Sequence, residues 1–180
     1  MEIIQTPIKD LIIIKPAFFE DERGYFTESY NKDRYFENGI TQNFIQDNQS
    51  KSSFGVVRGL HFQKGEYAQT KLVSVIAGKV FDVAVDLRQN SDTFGKWFGV
   101  ELSDENHLQF LLPRGFAHGF AVLSQTAIFT YKCDNFYNKQ SEGGIRFNDK
   151  SLNIDWKISE NQMIISEKDR ILPFLTENNK

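Results

Sequence analysis

Short runs of alternating apolar and polar residues, separated by turn residues, are the feature that most constrains the fold. They recur about every 8–12 residues through most of the chain, which predicts a closed β architecture, either a sandwich or a barrel. Gly78-Lys79 lies between two of these runs and predicts a two-residue hairpin turn. The predicted strands cover residues 11–14, 25–30, 73–77, 80–87, 97–102, 109–112, 119–123 and 127–131.

Helical signals are sparse. Residues 32–38 predict one helix in the first half, because Gly39 supplies a residue that favours the left-handed conformation at a helix end. The last thirty residues are more polar and predict a short helical or irregular cover. No repeat, low-complexity stretch or linker interrupts the chain, so we expect residues 1–180 to form a single domain.

The charge balance argues against nucleic acid or an anionic membrane as a partner. The chain has 21 basic and 24 acidic residues, a net charge of −3, and therefore no basic footprint. Its single cysteine, Cys133, has no partner for an internal disulfide, which favours a cytoplasmic location. The longest purely apolar runs have four residues, too short for a signal peptide or a membrane span.

A histidine within a predicted extended segment marks the first candidate site. In the sequence RGLHFQ, strict alternation predicts Arg58, Leu60 and Phe62 on one face. His61 and Gln63 then share the other face. A single histidine in a strand is more often a packed structural residue than a catalyst, so this segment alone does not define a site.

A second histidine follows the turn that begins at Pro113. His118 enters the next strand from this turn, and Lys71 opens the strand that follows RGLHFQ. Both histidines lie beside glycines in otherwise apolar strands. That repetition favours a functional site over two unrelated structural histidines.

The two segments resemble the two motifs of the cupin superfamily. The second motif, Pro-x-Gly-x-x-His, is intact at Pro113, Gly115 and His118. The first, His-x-His with a downstream Glu, is not, because Gln63 stands where a second histidine is expected. An amide is a poor substitute for an imidazole metal ligand, so we expect no bound catalytic metal.

A longer ordered series of motifs extends through most of the chain. In order, they are DERG at 21–24, QDN at 46–48, RGLHFQ at 58–63, YAQTKLV at 67–73, FDVAVDLR at 81–88, TFGKW at 93–97, PRGFAHGF at 113–120, YKC at 131–133 and SEKD at 166–169. The series resembles the dTDP-4-dehydrorhamnose 3,5-epimerase family of the cupin superfamily. The resemblance implies an all-β, cupin-type jelly roll with a few short helices, a homodimer and a metal-free isomerase without a cofactor.

The resemblance also implies a reaction and the residues that perform it. The family inverts C3 and C5 beside the ketone of a nucleotide-linked 4-keto-6-deoxyhexose. His61 matches the base, and Asp169 matches the carboxylate that orients it. Lys71 matches the cation near the developing enolate, and Tyr131 matches the group that returns a proton to the opposite face.

Further positions match substrate-binding residues of the family. Among them, the resemblance implies that Arg23 and Glu28 reach the active site of the partner subunit in the dimer. Phe19 or Tyr137 is a candidate to stack on the nucleotide base. The implied substrate-binding residues are Arg23, Glu28, Gln46, Asp47, Asn48, Arg58, Lys71, His118, Glu142 and Lys168.

Other interpretations remain open at this stage. Taken without the resemblance, Asp169 reads as a surface carboxylate, Tyr131 as a packing ring and Lys71 as a solvated strand end. A metal-dependent cupin enzyme and a non-catalytic cupin that binds sugars or a protein are the competing classes. Departures from the family at Ser74, Phe136 and Phe147 leave open the exact sugar and whether one or both carbons are inverted.

Overall fold

The computed structural model describes residues 1–175 and places most of their strands in two facing sheets. In chain order the strands are β1 Glu2–Gln5, β2 Ile12–Lys15, β3 Phe18–Asp21, β4 Gly24–Thr27, β5 Gln46–Ser53, β6 Val56–Gln63, β7 Lys71–Ala77, β8 Lys79–Asp86, β9 Trp97–Ser103, β10 Gln109–Leu112, β11 Phe116–Val122, β12 Thr126–Cys133, β13 Glu142–Gly144 and β14 Ile164–Ile165. The helices are α1 Lys32–Glu37 and α2 Glu167–Arg170, with 3₁₀ turns at Gly65–Tyr67, Lys139–Ser141 and Glu160–Gln162.

The two sheets close around a shared apolar interior. The first has the strand order β1-β2-β10-β7-β12-β5, and the second has β13-β6-β11-β8-β9 with β14 alongside β6. Val73, Phe110 and Phe129 of the first sheet pack there against Phe120 and Ala84 of the second. This arrangement confirms the predicted all-β jelly roll with a few short helices.

Separate layers cover the outer faces of the two sheets. On the first sheet, α1 buries Tyr35 against Ile14 and Leu111. On the second, Trp156 packs from the C-terminal region against Phe81. The predicted irregular C-terminal cover is therefore present up to residue 175, and residues 176–180 lie outside the described part. Neither helix in residues 1–175 is long and apolar enough to cross a membrane.

The turn at Gly78 does not form the predicted hairpin. β7 belongs to the first sheet and β8 to the second, so the chain crosses between the sheets here. Gly78 has a φ of +80°, and a Cβ at this position would overlap the main-chain oxygen of Thr126. Its N–H donates to Asp104 and that of Lys79 donates to Ser124. The turn between β7 and β8 is therefore held by hydrogen bonds to neighbouring loops and not by pairing of the two strands.

The strand predicted over residues 25–30 is shorter in the structure. β4 ends at Thr27 and pairs with β3 in a separate two-stranded hairpin. The next residue, Glu28, accepts a hydrogen bond from Asn31 and forms an ion pair with Arg34 of α1 at 2.9 Å. These contacts draw the chain toward the helix and end the strand.

Candidate active site

A cavity of about 610 Å³ lies between the two sheets. Its volume is in the range of small-molecule sites, and strands from both sheets contribute to its walls. The predicted placement of His61, Lys71 and His118 around one interior is confirmed. The site residues predicted from the sequence that line it are Asn48, Arg58, His61, Lys71, His118, Tyr131, Lys168 and Asp169.

A β-bulge shapes the wall that carries His61. His61 pairs with His118 of β11 and Arg58 pairs with Phe120, so between these two pairs β6 has one residue more than its partner strand. Two glycines allow the strands to approach, because a Cβ on Gly59 would lie 2.6 Å from the Cα of Gly119. The extra residue reverses the alternation of side chains. The prediction that Arg58 and His61 face opposite sides is therefore wrong, and both line the cavity.

His61 forms a hydrogen-bonded pair with Asp169. The Nε2 atom of His61 lies 2.7 Å from Oδ1 of Asp169, whose other oxygen accepts the N–H of Gly59 at 3.2 Å. Ser166 caps α2 by accepting the N–H of Asp169 and so fixes the carboxylate. Burial acts to raise the pKa of Asp169, but the bonds and charge from His61 and the Gly59 N–H hold it below its usual value. Asp169 is therefore a buried, ionised carboxylate bonded to His61 and not the surface carboxylate of the alternative interpretation.

Tyr131 and Lys71 face this pair from the other sheet. They lie on adjacent strands β12 and β7, and the ammonium of Lys71 is 5.8 Å from the centre of the Tyr131 ring. Burial raises the pKa of Tyr131, so its hydroxyl keeps its proton at neutral pH. Burial lowers the pKa of Lys71, while the nearby Asp82 carboxylate opposes that shift. A protonated phenol and a lysine thus lie opposite the histidine.

Sequence reasoning missed Asp82 as a site residue. The Nε2 atom of His118 lies 2.9 and 3.1 Å from the two carboxylate oxygens of Asp82, which is fully buried on β8. Burial raises the pKa of Asp82, and His118 and Lys71 oppose the rise. A carboxylate within the apolar run FDVAV was the signal available in the sequence.

A chain of polar contacts forms one rim of the cavity. Lys168 donates to Glu142 at 2.6 Å, and the Tyr137 hydroxyl donates to the other carboxylate oxygen of Glu142 at 3.3 Å. The Tyr137 N–H donates to Gln46, whose side-chain amide donates to Asn48. Burial acts to raise the pKa of Glu142, but Lys168 and Tyr137 hold it below its usual value. The predicted residues Gln46 and Glu142 are therefore joined to residues that line the cavity.

Four predicted binding residues lie away from this cavity within the described chain. Arg23 and Phe19 are exposed on the β3–β4 hairpin, where Arg23 pairs with Asp21. Glu28 pairs with α1 as described above. Asp47 points outward and forms an ion pair with Lys132 at 2.9 Å. None of the four lines the cavity in this chain.

The side chains that the structure describes do not offer a metal centre. In residues 1–175, no group of three or more His, Cys, Asp or Glu side chains is arranged to hold a metal ion. Gln63 is absent from the cavity wall and hydrogen-bonds a neighbouring loop. His61 and His118 are instead each engaged by an aspartate.

The jelly roll and the groups in its cavity define a cupin-fold protein equipped for acid–base chemistry. The sequence profile described as dTDP-4-dehydrorhamnose 3,5-epimerase matches residues 5–177. The chain belongs to this family, and the resemblance drawn from its motifs is confirmed.

Individual relatives are similar over almost the full length. The dTDP-4-dehydrorhamnose 3,5-epimerase of Shigella flexneri is 53% identical, with 94% of this chain and 93% of the relative covered. The crystal structure of the Elizabethkingia anophelis enzyme of the same name is 62% identical, with a TM-score of 0.94 and coverage of 100% and 99%. The Legionella pneumophila dTDP-6-deoxy-D-glucose-3,5-epimerase, solved in complex with dTDP-4-keto-L-rhamnose, is 53% identical, with a TM-score of 0.93 and coverage of 97% and 93%.

Proposed function

We propose that this protein is a dTDP-4-dehydrorhamnose 3,5-epimerase that acts in dTDP-L-rhamnose biosynthesis. It would invert C3 and C5 of dTDP-4-dehydro-6-deoxy-D-glucose without a cofactor. The observation that carries the proposal is the position of His61 and Tyr131 on facing sheets of one cavity. Inversion needs proton removal on one face of a carbon and proton delivery on the other, and this pair brackets the space between the sheets.

His61 is the base in this mechanism. Its Nε2 is engaged by Asp169, so Nδ1 is the ring nitrogen left to take the proton from the carbon beside the ketone. The ionised carboxylate stabilises the imidazolium that forms. The two electrons of the broken C–H bond move into the adjacent carbonyl and produce an enolate at the C4 oxygen.

Lys71 stabilises that enolate. An ammonium group in the cavity wall interacts strongly with a developing negative charge because little water screens it, and that charge in turn favours the protonated form of Lys71. Lys71 also lies beside Tyr131, so the same wall of the cavity supplies the charge and the second proton.

Tyr131 returns a proton to the face opposite His61. Its raised pKa keeps the hydroxyl protonated until the carbanion forms, and the more basic carbon then takes the proton. Exchange with solvent restores the proton of Tyr131 and removes that of His61. The same two groups serve C3 and C5 in turn, because both carbons flank one ketone.

The nucleotide end of the substrate is assigned to the cavity mouth. The guanidinium of Arg58 lines the cavity and is oriented by Ser52 at 3.0–3.1 Å, which suits a diphosphate oxygen. Lys168 and His118 also line the cavity and offer further hydrogen-bond donors to the substrate. The Legionella relative solved with dTDP-4-keto-L-rhamnose supports this type of ligand.

We also propose a single-domain, cytoplasmic homodimer. Arg23 and Glu28 lie outside the cavity of their own chain, which agrees with a role in the site of a partner subunit. Asp47 would complete that composite site at the edge of the first sheet.

Isotope exchange tests the proposed function. The purified protein is incubated with dTDP-4-keto-6-deoxyglucose in deuterated water, and the label at C3 and C5 is followed together with product configuration. We expect deuterium at both carbons and an inverted product. Label at one carbon only would restrict the activity to a single centre, and no label at either carbon would refute the proposal.

A further inference from the structure

Gln63 has a place in the structure that the reaction described above does not use. It stands two residues after His61 at the end of β6 and is 7% exposed. Its side-chain amide donates to the carbonyl oxygens of Tyr67 at 2.8 Å and Phe136 at 3.1 Å. Its amide oxygen accepts the N–H of Asn138 at 2.6 Å. All three hydrogen bonds of this buried amide are therefore to main-chain atoms that lie outside β6.

Two of these bonds hold a single loop, residues 134–141, to the strand that carries the base. Gln63 binds the carbonyl before Tyr137 and the N–H after it, so the main chain on both sides of that residue is fixed. Asn138 continues the structure by accepting the N–H groups of Gln140 and Ser141 with its side chain. The loop then enters β13, where Glu142 pairs with Gln63 in register.

The loop carries groups of the cavity rim. The exposed ring of Tyr137 is the candidate stacking surface, and its hydroxyl donates to Glu142. Glu142 in turn binds Lys168, which lines the cavity. Because Gln63 fixes the main chain beside Tyr137, it sets the position of this rim relative to His61.

We propose that Gln63 is a positioning residue that places the Tyr137–Glu142 rim to receive the nucleotide end of the substrate. The inference rests on the proposed function, since it assigns the rim to a nucleoside diphosphate. At the position where metal-binding cupins have a second histidine, this chain uses an amide to build its binding rim. Gln63 faces the loop and not the cavity, so its loss weakens substrate binding and leaves the proton-transfer groups in place.

The first experiment compares Gln63→Met with Asn106→Leu. Methionine conserves the volume of glutamine and removes its hydrogen bonds. Asn106 is the matched control, because its amide also makes three hydrogen bonds to main chain, at Glu101, Ser103 and Leu108. We expect Gln63→Met to raise KM and the Kd for dTDP about tenfold, with kcat within twofold of wild type. Binding would then have to order a rim that hydrogen bonds between neutral groups no longer hold, and such bonds contribute free energy on this scale. Asn106→Leu should leave both constants within twofold.

A double-mutant cycle then tests whether Gln63 acts through Tyr137. In a Tyr137→Ala background, Gln63→Met should add less than a twofold change in the Kd for dTDP, because the ring it places is gone. Additive effects in the cycle would overturn the positioning role. Equal effects of Gln63→Met and Asn106→Leu would overturn it as well, since they would reflect general loss of stability.

A second variant keeps the test decisive if Gln63→Met does not fold. Gln63→Glu keeps the length of the side chain and an oxygen that can accept the Asn138 N–H, but it loses the amide donor to Tyr67 and Phe136, and we expect it to raise the Kd for dTDP without changing kcat. An unchanged Kd would count against the inference. Wild-type protein that neither binds dTDP nor exchanges label would overturn the proposed function itself, whereas active wild type with an unaffected Gln63→Met overturns only the role of Gln63.

Discussion

Two histidines of the cavity wall, His61 and His118, each pair with an aspartate, and the two neighbouring pairs differ in exposure. In the first, His61 is 31% exposed by side chain and Asp169 is 5% exposed. In the second, the corresponding values are 9% for His118 and 0% for Asp82. The histidines are direct neighbours across β6 and β11, so the difference arises from their partners. Asp169 comes from the short helix α2 at the cavity edge, and Asp82 comes from β8, which lies between β11 and β9 inside the second sheet.

The difference in exposure suggests different roles for the two pairs, proton transfer for one and structural support for the other. A base must exchange protons with substrate and then with solvent, and His61 has access to both. His118 is enclosed, and the loss of its ring would leave the buried Asp82 without its hydrogen-bond partner, which is unfavourable. We infer that the exposed pair moves protons and the buried pair holds the neighbouring wall and a substrate contact in place.

The largest expected effect comes from substituting the two histidines in parallel. His61→Asn should slow deuterium exchange at both carbons by about 10²–10⁴-fold, because general-base removal has this magnitude. His118→Asn should retain exchange and act mainly on KM. Rates of label uptake from deuterated water measure both effects. If His61→Asn still exchanged label while His118→Asn did not, the roles of the two pairs would be reversed.

Tyr131→Phe tests the wall opposite the exposed pair. The change keeps the ring and its packing but removes the hydroxyl, so His61 can still take a proton and return it to the same face. We expect label uptake with inversion reduced by about 10²-fold, in the range of general-acid effects. Product configuration measured alongside label content separates the two steps. Epimerisation at the wild-type rate would remove Tyr131 from the mechanism.

Stability should rank the two aspartates in the opposite order from activity. Asp82→Asn removes a carboxylate from a fully buried pair, and we expect a loss of about 3 kcal/mol in the free energy of unfolding. Asp169→Asn, whose amide oxygen can still accept the Gly59 N–H, should lose about 1 kcal/mol while greatly reducing turnover. Denaturant unfolding and steady-state kinetics on both variants check this ranking. Similar losses of stability would show that exposure does not distinguish the pairs.

Arg58→Ala should have a smaller effect, confined to binding. Arg58 shares β6 with His61, but its proposed partner is a phosphate that changes little during proton transfer. We expect about a tenfold increase in KM, equivalent to one charged hydrogen bond, with kcat nearly unchanged. Steady-state kinetics measure both constants. A loss confined to kcat would assign Arg58 to the transition state.

Chelation should have the smallest effect. Both histidines are engaged by carboxylates, and the proposed steps use His61, Lys71 and Tyr131 without a Lewis acid. Exhaustive treatment with a chelator should leave turnover within twofold of the untreated protein. Loss of activity that zinc, iron or manganese restores would make the histidines metal ligands.

The fold was largely predictable where inward and outward faces differ in polarity. β8 and β12 were recognised because apolar side chains alternate along them. β5 escaped prediction because its sequence is QDNQSKSS, in which Asn48 and Ser50 line the cavity. A strand with polar side chains toward a ligand cavity lacks the alternation of apolar and polar residues on which strand prediction depends.

The candidate site was predictable as a set of residues but not as a geometry. Alternation along RGLHFQ placed Arg58 and His61 on opposite faces, and only the bulge at Gly59 brings them to one side. Asp82 was overlooked because its partner, His118, lies 36 residues away in sequence. Contacts between strands of this kind depend on sheet register, which a single sequence does not reveal.

The polarity of β5 also bears on how the protein behaves at high concentration. β5 is the last strand of its sheet, and an open strand edge is a template on which other chains can add and aggregate. Along this edge the chain presents amides, hydroxyls and the charges of Asp47 and Lys51, and it offers no hydrophobic surface for an incoming strand. The polar side chains of β5 that line the cavity therefore belong to a strand whose edge disfavours uncontrolled strand addition, and we expect substitutions that make β5 apolar to lower solubility.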